Sequence, residues 1–410
     1  MNVTDAEQDI PQLDRIHARR IVQDVGGSGQ PPIYGYQFFT AGIGPYLDTI
    51  EDEYLSDFIP AGGSSFKLVI GTYGGGKTHF LYSVQGKAWD QEYITAYIEL
   101  SQNSTPLHRL EEVYRAIVAN LLYPQEATAL LRGYDKGIEA TLKAWFLSKQ
   151  EEYTRYFPED KLEPALADYA NDIGPYESKS FQNAIRQAFL TQLQGDDEEF
   201  NLIVQWLKGE NPPKNLLKEY HIFEKLDRST AFKFLRDLIR WIQEIGYTGL
   251  IILMDEAEQT PSMSTRQRET LLNNLRELVD ACSKGTVMST MIFYAVPDDS
   301  FLEGRTAVYE ALNQRLATVF EGPINPTGVR IDLEHLEVNP EAFLREVGEK
   351  LARIYEVAYE ISFDPDILDA KLQEISEWAY RERFGEIGYK RAFVQQAIKT
   401  FHELRHEASQ

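Results

Sequence analysis

Gly71-Thr72-Tyr73-Gly74-Gly75-Gly76-Lys77-Thr78 decides how the rest of the chain is read. An apolar run, Phe66 to Ile70, leads into it. His79, Phe80, Leu81, Tyr82 and Val84 follow in a pattern that suits a helix. Strand, glycine loop and helix with the spacing G-x-x-x-x-G-K-[ST] form a phosphate-binding unit. Glycines let successive backbone N–H groups turn inward as an anion nest. The helix N-terminus adds partial positive charge. Lys77 is placed to reach the β- and γ-phosphates of a triphosphate, and the Thr78 hydroxyl to complete the shell of a Mg²⁺ ion. Gly71 through His79 are therefore candidate ATP contacts. The competing reading is a glycine-rich turn that binds nothing. With glycine at about 7% of residues, the bare pattern arises by chance in roughly one chain of this length in a hundred.

Such a loop needs a carboxylate partner. Gly249-Leu250-Ile251-Ile252-Leu253-Met254-Asp255-Glu256 supplies a pair. A continuous apolar run is what a parallel strand covered on both faces looks like. The run ends in its carboxylates, at the strand end where open α/β sheets bind ligands. Asp255 is the candidate Mg²⁺ ligand, acting through water, and Glu256 the group that polarises attacking water. The alternative is a strand followed by an acidic turn.

The chain has 410 residues, enough for a large core and two domains. No apolar run approaches ~20 residues, so no membrane span is expected. Met1 to Gln12 is acidic and polar, with no signal-peptide core. Cys282 is the only cysteine, which excludes disulfides within the chain and fits a reducing cytoplasm. The net charge of −23 speaks against a broad basic face for nucleic acid; the alternative for DNA is a local basic patch.

Residues 1–65 read as an N-terminal tail and linker. It holds one short helix around Leu13 to Val22 and another from Tyr46 to Leu55. Tyr34, Tyr36 and Phe38 are candidates for an adenine wall or for local core. Residues 66–335 read as the α/β core. Tyr93 to Leu100 is a second strand and Leu107 to Leu122 a helix. Residues 124–228 hold no clear strand and are expected as a helical insertion. A buried helix runs from Ser229 to about Ile245, and another from Thr265 to Cys282. Thr290 to Val296 is a fourth strand; Val329, Ile331 and Leu333 alternate as a fifth. Asp298 is either a γ-phosphate sensor or a helix cap. Arg315, at the end of the helix from Val308, is either a finger that reaches a neighbouring subunit's γ-phosphate or one half of a surface ion pair. Residues 336–410 read as a helical lid, with Asn339-Pro340 and Asp364-Pro365 as start signals. Lys390 and Arg391 open its last helix, where they are either nucleotide sensors or solvent-facing charges.

This order of elements resembles the AAA+ P-loop ATPases. More narrowly, Ala18-Arg19-Arg20-Ile21-Val22, the run Phe66 to Leu81, Leu107-His108-Arg109-Leu110 and Asp255-Glu256-Ala257-Glu258 resemble the BrxD type of ATP-binding protein in bacterial BREX phage-defence systems, relatives of origin-recognition ATPases. The resemblance implies a parallel sheet of five strands in the order 5-1-4-3-2. It also implies ATP and Mg²⁺ as cofactors, ATP hydrolysis, assembly into a homo-oligomer with Arg315 acting in trans, and work beside other defence proteins such as a helicase. Two departures matter. The fourth strand lacks an Asn or Thr sensor, so hydrolysis is expected to be slow. No winged helix is expected after the lid, which leaves DNA contact without support. The alternative to a motor is a nucleotide-gated assembly module with little turnover.

Overall fold

Four strands are largely apolar because both of their faces are covered. They are β1 (Ser64–Ile70), β2 (Ile94–Glu99), β4 (Leu250–Asp255) and β5 (Thr290–Val296). Along β4, Ile251 and Leu253 pack into one core, while Ile252 and Met254 pack into another on the opposite face. Met291 and Phe293 of β5 divide from Ile292 and Tyr294 in the same way. The structure, a computed structural model, describes residues 13–101, 105–126, 129–130, 133–255, 263–298, 300, 307–335, 339–382 and 388–408.

The sheet has six strands in the order β3-β2-β4-β5-β1-β6, with β3 at Leu121–Leu122 and β6 at Arg330–Asp332. Among the five expected strands the order is the expected 5-1-4-3-2, read from the β6 edge; the short β3 added beside β2 corrects the count of five and the all-parallel sheet. Only β3 is antiparallel, pairing Thr95 with Leu122 and Ala96 with Leu121. The helix expected over Leu107 to Leu122 instead spans Leu110–Ala119, and Asn120 stops it by donating its amide to the Ala116 carbonyl, 2.9 Å. The chain then reverses, and its two leucines cover the edge of β2 that would otherwise stay unpaired. The other pairs are parallel, and their registers align the carboxyl ends of β1 with β5 and of β2 with β4.

We number the helices in chain order. On one face of the sheet lie α2 (Gly44–Ile50), the π-helical turn Glu51–Phe58 that continues it, and α3 (Lys77–Asp90). The other face carries α4 (Leu110–Ala119), α10 (Ala231–Glu244) and α11 (Thr265–Ser283). The stretch between β3 and α10 is helical: α5 (Ile138–Thr154), α6 (Glu159–Asn171), α7 (Lys179–Gln194), α8 (Asp197–Leu207) and α9 (Lys214–Glu219). It extends that same core, with Trp145, Phe189 and Trp241 in ring contact at 4.8 and 5.7 Å. Then follow α12 (Ala307–Leu316) and, after β6, α13 (Pro340–Tyr359), α14 (Pro365–Arg381) and α15 (Tyr389–Ala408). Asn339 and Asp364 cap α13 and α14 as their sequence signals predict.

The N-terminal segment does more than link. Ala18, Ile21, Val22 and Val25 of α1 (Arg15–Ser28) are buried in one core with Leu351, Tyr355, Phe393 and Phe401 of α13 and α15. Residues 13–41 and 343–401 thus share a hydrophobic unit beside the sheet. Among the described residues no helix is long and apolar enough to cross a membrane.

Lys67 points off β1 into the interior and is 1% exposed. Its Nζ donates to Tyr54 Oη at 2.9 Å and to the carbonyls of Pro326 and Gly328 at 3.1 and 2.5 Å. Burial pulls its pKa down to about 7, against three oxygen acceptors that match the three N–H donors of an ammonium. Above that pH the folded chain holds one proton fewer here than the unfolded chain, whose lysine titrates near ~10.4. Stability contributed by Lys67 therefore rises with pH above 7 and is lowest below it. Between pH 7 and 9 the wild type is expected to gain about 2 kcal/mol more than Lys67→Met, read from urea midpoints. Parallel pH dependences in the two proteins would refute this.

Candidate functional site

β1 delivers its last residue, Ile70, to the glycine loop, and α3 begins at Lys77. Gly74 at φ +73° and Gly76 at φ +98° take backbone conformations that side chains avoid. They turn the chain so that the α3 N-terminus faces the cleft beyond the sheet. Lys77 Nζ donates to the carbonyls of Gly71 and Thr72, at 2.8 and 3.0 Å. The lysine thus braces its own loop.

The two decisive motifs meet. Thr78 Oγ1 donates to Asp255 Oδ2 at 2.7 Å, across 177 residues of chain. Tyr97, on the neighbouring strand β2, donates its hydroxyl to the same oxygen at 2.7 Å. Asp255 is 1% exposed, so these two donors offset much of the cost of burying its carboxylate. Burial, and then the Asp255 charge, push the Tyr97 hydroxyl well above its ordinary pKa, which keeps it a donor. In the sequence Tyr97 is marked only as one residue of the second strand, Tyr93 to Leu100.

His79 is fixed between α3 and the preceding segment. Its ring meets Tyr36 and Phe39 edge-on at 5.9 and 5.2 Å. The Thr40 hydroxyl gives its single proton to the Tyr36 carbonyl at 2.9 Å. The 2.8 Å bond between Thr40 Oγ1 and His79 Nε2 therefore runs from Nε2–H to oxygen, which settles the tautomer. Desolvation, and then the Lys390 ammonium, lower the imidazole pKa to about 4, so it stays neutral. It braces the loop's helix and carries no charge to a ligand.

A cleft of about 1180 Å³, part of it open to solvent, lies between the glycine loop, the segment after α1 and the helices α13 and α15. Its inner wall is apolar, from Phe39, Ala41, Ile43, Phe343, Val347 and Val394. Among the described residues its charged lining is Lys77, Lys390 and Arg391 against Asp255. In a chain of net charge −23, that local excess of cations is suited to an anion. An apolar wall beside a cation-lined mouth matches a base joined to phosphates.

Other candidates fall as follows. Arg391 reaches the cleft, with its guanidinium 5.1 Å from the Tyr73 ring centre and Nε donating to the Ser28 carbonyl at 2.8 Å. Lys390 also lines it, with Nζ donating to the Leu333 carbonyl at 3.1 Å. Tyr34, Tyr36 and Phe38 do not line the cleft, which corrects the adenine-wall option. Tyr36 turns its hydroxyl against Gly86 on α3, and Tyr34 packs edge-on to Phe38. Phe39, in the same 3₁₀ turn as Tyr36 and Phe38, faces the cleft instead. Arg315 forms an ion pair with Asp280 on α11 and donates from Nη1 to the Ala311 carbonyl at 2.8 Å. It lies outside the cleft lining. Asp298 accepts from the Ser300 N–H at 2.8 Å, closing a local turn. Glu256 lies outside the described residues.

The class of protein is thus an open α/β sheet whose carboxyl edge brings a glycine loop and a buried carboxylate to a cation-lined cleft. A family model described as BREX system ATP-binding protein BrxC/D matches residues 15–409. The chain belongs to that family and has an ATP-binding role in phage defence. No curated protein and no solved structure matches the chain.

Proposed function

We propose that this chain is an ATP-hydrolysing AAA+ protein of the cytoplasm, working as an oligomeric motor or switch beside other phage-defence proteins, a helicase-like one among them. The observation that carries this reading is the Thr78–Asp255 hydrogen bond at the mouth of the cation-lined cleft. It joins the two segments a nucleotide–metal site requires. The residues fit such a group. The loop glycines leave backbone N–H groups at a helix start, Gly76 has open space where a side chain would stand, and a hydroxyl and a carboxylate, both suited to Mg²⁺, already touch.

Magnesium–ATP, when bound, supplies an activated phosphoanhydride bond for water to cleave to ADP and phosphate. The chain's residues then have separate tasks. Gly71 to Lys77 cradle phosphate through the backbone, and Lys77 exchanges its hold on two carbonyls for phosphate oxygens. Thr78 and Asp255 hold the metal. Glu256 takes a proton from the attacking water. Arg391 lies where a lid cation can report on the phosphates. Arg315 serves in trans only if its pair with Asp280 opens at a subunit interface. In this reading 66–335 is the ATPase core, with the insertion at 124–228, and 336–410 is the lid, to which α1 adds a fourth helix.

A second reading, a nucleotide-gated assembly module with little turnover, is favoured by one observation. The end of the fourth parallel strand offers Asp298, a carboxylate engaged in its own turn, where a phosphate sensor would be neutral or basic.

Titration of magnesium–ATP into the protein, followed by heat and by light scattering, tests the proposal. Saturable heat and a rise in mass with a slowly hydrolysed analogue are expected. No heat would end the nucleotide reading; heat without a mass change would end the oligomer and the trans role of Arg315.

A further inference from the structure

We propose that Glu334 is a positioning residue of the glycine loop: it pins the loop's outer edge to the end of β6 and so keeps the backbone ready for phosphate. The part about phosphate rests on the nucleotide reading above; the loop contact itself does not.

Glu334 Oε1 accepts two hydrogen bonds from one residue, Thr72 N at 2.9 Å and Thr72 Oγ1 at 2.8 Å. A Cβ at position 75 would sit 2.5 Å from that oxygen, so the loop closes over it only because Gly75 has no side chain. Gly75 N in turn donates to the Thr72 carbonyl at 2.9 Å. Thr72 and Gly75 thus form a seat for one carboxylate oxygen, 262 positions away in sequence.

The anchor is itself held. Glu334 N donates to Asp332 Oδ1 at 3.0 Å, and Leu333 N to the Ile70 carbonyl at 2.8 Å. The Leu333 carbonyl receives Lys390 from α15. On the loop's other side Gly388, at φ +71°, lies so close that a Cβ there would overlap the Tyr73 carbonyl oxygen. Residues 72–75 are therefore gripped between the end of β6 and the start of α15. Glu334 stands outside the cleft lining and touches the back of the loop, so it acts through backbone geometry. Bonds to an ionised acceptor are about twice as strong as neutral ones, which gives a reason for a carboxylate beside a loop that receives anions.

The test uses the full chain as wild type, Glu334→Ala and Glu334→Gln. Two readouts are taken: amide hydrogen exchange across 71–78 without nucleotide, and affinity for a fluorescent ATP analogue with magnesium. In Glu334→Ala, exchange is expected to rise about tenfold and affinity to fall about tenfold. Glu334→Gln keeps an oxygen acceptor and is expected within about threefold of wild type on both. Unchanged exchange and affinity in Glu334→Ala would overturn the proposal. So would tighter binding in both variants, which would mean that the carboxylate acts only by repelling phosphate. Faster exchange in Glu334→Ala beside a wild type that takes up no magnesium–ATP would overturn the nucleotide reading and leave the loop contact supported.

Discussion

Lys77→Ala is expected to lower affinity for magnesium–ATP by at least about a hundredfold while leaving the melting temperature within a few degrees. The first effect follows from the geometry. Lys77 opens α3 and, among the described residues, is one of three Lys and Arg side chains lining the cleft, the one that belongs to the loop itself. Removing a charged donor that meets a charged partner in a partly dry site costs about 2–5 kcal/mol. The second effect follows from what Lys77 does without ligand. It donates to two carbonyls at the edge of the cleft, where water replaces it, and alanine is a good helix-starting residue. Calorimetry and a thermal melt on the same sample decide the point. Wild-type affinity in this variant would place phosphate elsewhere.

Glu256→Gln is expected to leave affinity within a few fold and to lower single-turnover hydrolysis by about 10²- to 10⁴-fold, the usual contribution of a general base. Glutamine keeps the shape and loses the basic oxygen. Its predecessor Asp255 is fixed at the end of β4 by two hydrogen bonds and lines the cleft. Hydrolysis at the wild-type rate would remove Glu256 from the mechanism. The same variant separates the two functional readings. Phage defence that survives Glu256→Gln but not Lys77→Ala would favour a nucleotide-gated assembly; equal loss would favour catalysis.

Much of the core of this site was legible in the sequence because it is local. The glycine loop is eight consecutive residues, and Asp255 announces itself by ending an unbroken apolar run. What was not legible depends on three-dimensional choices among equivalent neighbours. Four residues of one 3₁₀ turn, Tyr36–Phe39, include three aromatics, and only packing decides that Phe39 faces the cleft. Leu121 continues the helical spacing from Ile117, yet the uncovered edge of β2 offers it backbone partners that a further helical turn does not. Arg315 was left between finger and ion pair; within one chain it pairs with Asp280. Thr72 and Glu334 carry no local signal of each other, since their meeting requires β6 to lie beside β1.

The joint burial of α1 with α13 and α15 bears on how the chain is made. Helix α1 (Arg15–Ser28) leaves the ribosome well before its partner α15 (Tyr389–Ala408). At ~5–20 residues per second, the apolar face of α1 waits tens of seconds for cover. During synthesis this face is a natural stop for a chaperone. Shortening the protein from its C-terminal side therefore strips the N-terminal helix of its seat as well.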